Sequence, residues 1–267
     1  MNHSACIVLL LCAALCAVSC ASLEGNRLDS GEVWSLLRDL PRHDSFRYIN
    51  RDSLPEEWFA RARVSLEDPG VYIVLSNTKS AASKLIARFT GSRYNHVSLA
   101  FDAELAAMVS YNGGNGRNHP GMNPETLADL LKAPEASFAV YRLPVSPAEK
   151  ALMLGRIAAI NAQGSSYNLL GLITKQSAKP NIMFCSQFVY ALLDETGTAP
   201  FEKTPGKVQP MDFLPPVRSP PDRSPPVRRP PALRPPGRER MALVYAAGAG
   251  AENCAITFDS RSTLTYH

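Results

Sequence analysis

Two short runs, about ninety residues apart, do most to limit what this chain can fold into. Tyr94 to Phe101 (YNHVSLAF) alternates apolar and small residues with period two, the mark of a strand with one buried face. Phe184 to Gly197 (FCSQFVYALLDETG) repeats its apolar residues with helical period, and Gly197 stands where a helix would stop. Strand and helix periods in one chain, with further strand-like runs at Val71 to Ser76 and Phe138 to Leu143, point to an α+β domain. The strand run opens on His96 and the helix run opens on Cys185.

That pairing has a chemical meaning. A thiol of ordinary pKa, about 8.5, is only a few per cent thiolate at neutral pH. A helix N-terminus supplies partial positive charge to a thiol at its first turn. A histidine takes up the thiol proton and stabilises the anion as imidazolium. Cys185 sits where the first effect operates, with Phe188, Val189, Leu192 and Leu193 spaced to anchor its helix in a core. Val97, Leu99 and Phe101 fall on one side of the His96 strand, and His96, Ser98 and Ala100 on the other. A third group usually orients the imidazole. Ala107 to Tyr111 reads as a hairpin partner across Asp102 to Leu105, and it brings Ser110 and Asn112 near His96, Ser110 being favoured.

The rest of the chain organises around this pair. Ala5 to Ser19 is a fifteen-residue stretch without a charge, the length of a secretory h-region rather than of a membrane span. It predicts export and makes residues 1–22 a signal segment. Residues 23–68 read as a helical arm packing on the main domain, with helical spacing at Gly31 to Leu40 and Pro55 to Arg63. Residues 69–214 form the expected main domain, with helices at Lys79 to Phe89 and Pro147 to Ala162 and a Gly/Asn-rich loop at Asn112 to Gly121. Residues 215–239 repeat a five-residue unit with paired prolines (PPVRS, PPDRS, PPVRR, PPALR, PPGRE), which forbids helix and sheet and favours polyproline II. Extended in that form, the repeat would reach on the order of 75 Å. It suits a rigid cationic spacer or a grip on anionic polymers or headgroups, or it is a low-complexity insertion with no role. Residues 240–267 hold a run, Met241 to Tyr245 (MALVY), that reads as a strand returning to the domain.

Charge and cysteine content exclude several classes. The six arginines of the repeat, against Asp222 and Glu239, account for the whole formal charge of +4. The remainder is neutral, so no basic surface for nucleic acid is expected. Cys6, Cys12, Cys16 and Cys20 belong to the signal, leaving Cys185 and Cys254 in the body. One disulfide between these two is conceivable in an exported chain, but one stands at a helix start and the other in a polar tail. No C-x-x-C and no paired histidines suggest a zinc site, and no cofactor is called for.

Four segments in order, HVSLAF, YNLLGL (Tyr167 to Leu172), FCSQFVYALL and PMDFL (Pro210 to Leu214), resemble the circularly permuted papain-like hydrolases. These are NlpC-type domains of the YiiX group, in which histidine precedes cysteine; Phe201, Pro205 and the Leu243 to Tyr245 run are similar to that group's ending. The resemblance implies a papain-like antiparallel sheet with the nucleophile helix packed against it. It implies Cys185 as nucleophile, His96 as base, and Tyr167 as the residue that polarises the substrate carbonyl, although Tyr167 could equally be core. The group often carries a carboxylate or histidine as third member, where this chain shows only Ser110 and Asn112. Ala17-Val18-Ser19-Cys20 also resembles a bacterial lipobox, with Ala17 in place of the preferred Leu, implying lipidation at Cys20 in competition with cleavage near Ala21. The expected activity is exported hydrolysis of an amide, in a peptide or in cell-wall peptidoglycan. The alternatives are a lipid acyl hydrolase or transferase, and a non-catalytic binding protein of the envelope.

Overall fold

The computed structural model describes residues 42–43, 46–78, 93–114, 118–133, 136–169, 171, 179–214 and 242–247. Its centre is an antiparallel sheet built from β1 (Val71–Asn77), β2 (His96–Ala100), β3 (Met108–Asn112), β4 (Gly121–Glu125), β5 (Ser137–Leu143) and a last strand, Ala242–Ala247. The order across the sheet is β4-β3-β2-β1-β5 followed by that last strand. The expected α+β class is therefore what the chain adopts.

β1 runs down the middle, paired with β2 on one side (Ser76 opposite His96) and β5 on the other (Ile73 opposite Tyr141). Both its faces are covered, which is why VYIVLS reads as a continuous apolar run rather than an alternating one. Val71, Ile73 and Leu75 enter a large core with Val97, Leu99, Phe101, Val109 and Tyr111. Tyr72 and Val74 enter a smaller cluster with Ala100, Met108 and Val140. That second cluster is roofed by Leu127, Leu130 and Leu131, in and just after the short helix α2 (Leu127–Leu130). The β2–β3 turn falls where expected: the Asp102 carboxylate accepts from the Ala106 and Ala107 amides at 2.7 and 3.0 Å.

The arm residues do more than wrap the domain. Helix α1 (Glu56–Val64) buries Trp58, Phe59 and Ala62 in the large core, and the Trp58 indole donates to the Met108 carbonyl at 3.0 Å. Burying such side chains is worth roughly 1.5–3 kcal/mol each. Helix α3 (Pro147–Gln163) starts as its sequence predicts, with Ser146 and Glu149 forming a reciprocal capping box and Pro147 in the first turn. Its Lys150 is fully buried, and the ammonium donates to the Ser65 and Asp68 carbonyls at 2.6 and 3.1 Å. Short parallel strands β6 (Ser166–Tyr167) and β7 (Ile182–Met183) lead into helix α4 (Cys185–Glu195), with Gly197 in the left-handed region just beyond it. The last strand, β8 (Ala242–Ala247), pairs with β5, as the MALVY run predicts, so the proline-arginine repeat lies between two parts of one domain.

The element that sequence reading passed over is β4. By sequence, Asn112 to Gly121 reads as a loop and nothing is assigned to Met122 to Glu125, a run that Pro124 makes a poor match to a strand pattern. A proline is admissible on an edge strand, and β4 is the edge of this sheet. The signal segment with Cys20, the expected helices at Gly31 to Leu40 and Lys79 to Phe89, the repeat itself and Cys254 lie outside the described residues.

Candidate active site

Helix α4 lies over β2 and β3, with the Phe188 ring against Tyr111 at a centroid distance of 4.9 Å. Phe188, Val189, Leu192 and Leu193 all enter the core, the face assigned to them by helical spacing. The Ser186 hydroxyl donates to the Val208 carbonyl at 2.7 Å and ties the first turn to the segment that follows the helix. Phe184 stands at the N-cap, where its side chain can accept nothing, and no side-chain hydrogen bond caps the turn. The positive end of the helix is thus turned on Cys185, with no acidic side chain in the first turn to offset it. Cys185 carries a free thiol and is 2% exposed.

His96 is the first residue of β2, and the structure brings it beside Cys185, near enough for the sulfur to act on the imidazole. The other side of the ring faces a carboxylate. His96 Nε2 lies 3.0 Å from both Oε1 and Oε2 of Glu125, which leaves Nδ1 for the sulfur. Glu125 is the third member of the constellation, in place of Ser110. The Ser110 hydroxyl is spent on the backbone, donating to the Val97 carbonyl at 2.7 Å. Asn112, the other candidate, touches the acid instead of the base, its Nδ2 donating to Glu125 Oε1 at 2.6 Å. Ser98 Oγ donates to Glu125 Oε2.

Glu125 was missed because its strand was missed. Met108 pairs with both Ala100 and Glu125, so one row crosses β2, β3 and β4 and gives the side of the sheet that Glu125 shares. The alternation of each strand then puts His96, Ser98, Ser110, Asn112 and Asn123 on that same side. Polar residues at spacing two after Gly121, namely Asn123 and Glu125, were the available signal. Gly121 itself is required there: its φ is +152°, and a Cβ would stand 2.7 Å from Ser165 Oγ and 3.0 Å from Asn50 Cβ.

The electrostatics follow from the geometry. Burial by itself would lower the His96 pKa, but the Glu125 carboxylate and the Cys185 sulfur together hold it well above the ordinary imidazole value of 6.5. For Glu125, burial pushes upward and is overcome by His96, Ser98 and Asn112, so its carboxyl stays below the ordinary 4.5. Tyr167, in β6, is buried near both Cys185 and Glu125. Burial first, then those two groups, raise its phenol well above 10, so the hydroxyl keeps its proton and remains a donor through neutral pH. The His43 ring meets Tyr167 edge-on at 5.6 Å.

A separate hollow of about 290 Å³ opens beside α3 and α4, lined by Arg156, Lys179, Asn181, Gln187 and Glu195 among others. It does not include Cys185, His96 or Glu125. Among the described residues no group of three or more His, Cys, Asp or Glu side chains is placed to hold a metal ion, and no helix is long and apolar enough to cross a membrane. Compared with protein-family models, with curated proteins and with solved structures, the chain matches none of them.

Proposed function

We infer that this protein is a cysteine hydrolase of permuted papain-like type that cleaves an amide bond through a thioester. The observation that carries the reading is the position of His96, between the Cys185 thiol and the Glu125 carboxylate. In the first step the Cys185 proton passes to His96 Nδ1 and the sulfur attacks the substrate carbonyl carbon. The tetrahedral oxyanion meets the uncapped first-turn amides of α4 and the Tyr167 hydroxyl. Collapse breaks the C–N bond as His96 returns its proton to the leaving nitrogen, giving a thioester and a free amine. Water then gives a proton to His96 and its oxygen to the acyl carbon, and the carboxylic acid leaves as the thiol is restored.

The charge state of His96 favours an amide over a lipid ester. An amine departs only if its nitrogen is protonated as the bond breaks, and a histidine whose charged form is stabilised by a buried carboxylate is suited to carry the thiol proton to it. With export expected from the uncharged stretch Ala5 to Ser19, a peptide amide of the cell envelope, as in peptidoglycan, is the substrate class we propose. Lipidation at Cys20 would keep the enzyme at the membrane surface.

A thiol-directed acyl probe tests the reading. Labelling of the parent protein should map to Cys185, vanish in Cys185→Ala and fall steeply in His96→Ala. No labelling of the folded parent, or equal labelling in His96→Ala, would overturn it. Offering wall-peptide fragments and phospholipid vesicles in parallel separates the two enzyme classes, and release of new amino groups only from the former is expected.

A further inference from the structure

Glu125 is held by more than the histidine it faces. Its Oε1 accepts from Asn112 Nδ2 at 2.6 Å, and Asn112 Oδ1 accepts from Asn123 Nδ2 at 2.9 Å. Asn123 Oδ1 accepts in turn from Asn50 Nδ2 at 3.0 Å. Three side-chain amides therefore run head to tail from the N-terminal segment to the carboxylate, with Asn50, Asn123 and Glu125 all buried.

The direction of this chain is fixed by the backbone at every link. Asn112 Oδ1 also accepts from the Gly114 N–H at 2.8 Å, which only an oxygen can do. Asn123 Nδ2 also faces the carbonyls of His119 and Gly121 at 3.0 and 3.1 Å, which requires a donor. Asn50 Nδ2 likewise faces the Met122 carbonyl at 2.7 Å. Each amide is locked against a flip, and the lock aims an N–H at Glu125. An ionised carboxylate is satisfied by that arrangement, whereas a protonated one would offer a second hydrogen with no acceptor from Asn112.

We propose that Asn112 is a positioning residue for the site, and that through Asn123 and Asn50 the N-terminal segment sets the orientation and charge of Glu125 against His96. This rests on the hydrolase reading only for its consequence in turnover. The physical content, that Asn112 stabilises the anionic acid, stands whether or not the protein hydrolyses anything. Among the described residues, the titratable groups facing Glu125 are His96 from β2, Tyr167 from β6 and, across His96, Cys185 from α4.

The test follows the Glu125 carboxyl carbon by NMR in protein carrying labelled glutamate, with Glu125→Gln to assign the signal. Loss of the Asn112 donor in Asn112→Ala should move its titration upward by about one pH unit, as expected for a hydrogen bond to a charged group. In Asn112→Asp a second carboxyl replaces the donor, and one of the two should titrate higher still. Asn123→Ala, which leaves Asn112 in place but unsupported, should give a smaller upward shift. If Asn112→Ala does not fold, the Asn123→Ala shift decides alone. An unchanged Glu125 titration in a folded variant overturns the proposal while leaving the hydrolase reading untouched. Absence of turnover in the parent, with the titration shifts present, does the reverse.

Discussion

Replacing Glu125 by Gln keeps the shape of the side chain and removes its charge. In the parent, His96 Nε2 is 3.0 Å from each carboxylate oxygen, inside a site where the His96 side chain is 14% exposed and that of Glu125 5%. Without the carboxylate, burial, already the largest single influence on the imidazole and one that favours the neutral form, is opposed by Cys185 alone. Hydrogen bonds to charged groups contribute about 1.5–3 kcal/mol, so the His96 pKa should fall by about one to two pH units. Cys185 loses that charged neighbour accordingly and should react with an uncharged alkylating agent roughly 10- to 100-fold more slowly near neutral pH. The stability change has its own pH signature. His96, raised in the folded state, contributes stability that is complete below about pH 6.5 and is lost as pH climbs through its folded value. Glu125, lowered in the folded state, contributes above about pH 4.5 and loses that contribution as pH falls through its folded value. Both are present together between those values, so the melting-temperature gap between parent and variant should be widest there and narrow on either side. Alkylation rates of Glu125→Gln that overlay the parent across pH, in a protein that still melts cooperatively, would refute the assignment of Glu125 as the partner of His96.

Three further outcomes are expected. Ser110→Ala should leave the pH profile of Cys185 alkylation unmoved while costing about 1–3 kcal/mol in urea unfolding, because the Val97 carbonyl loses its buried donor; a shifted profile would restore Ser110 to the site. Tyr167→Phe should lower kcat on a peptide amide roughly 100- to 1,000-fold with little change in KM, as for loss of one oxyanion donor; an unaltered kcat would make the ring simple core. Trp58→Ala should cost about 3–5 kcal/mol, since its indole is buried and bonded to the Met108 carbonyl; a loss under about 1 kcal/mol would separate the arm from the core.

The periodic segments were legible because periodicity is local. The strand opening at His96, the helix opening at Cys185, the start of α3 at Pro147 and the returning strand at Ala242 each follow from residues a few positions apart. So did the direction of the apolar faces, since Val97, Leu99, Phe188 and Leu192 meet in one core as their spacing requires. The same reasoning paired Cys185 with His96 but could not close the site around them. Glu125 reaches His96 from a strand containing a proline, and Asn50 reaches that acid through two other amides and more than seventy residues of chain. No local pattern carries those links. They come from the register of three strands and from the need of buried polar groups for partners, which is met only when distant segments are brought together. The choice between Ser110 and Glu125 was thus a property of the folded sheet: one hydroxyl found a carbonyl of its neighbouring strand, and the acid was left to face the histidine.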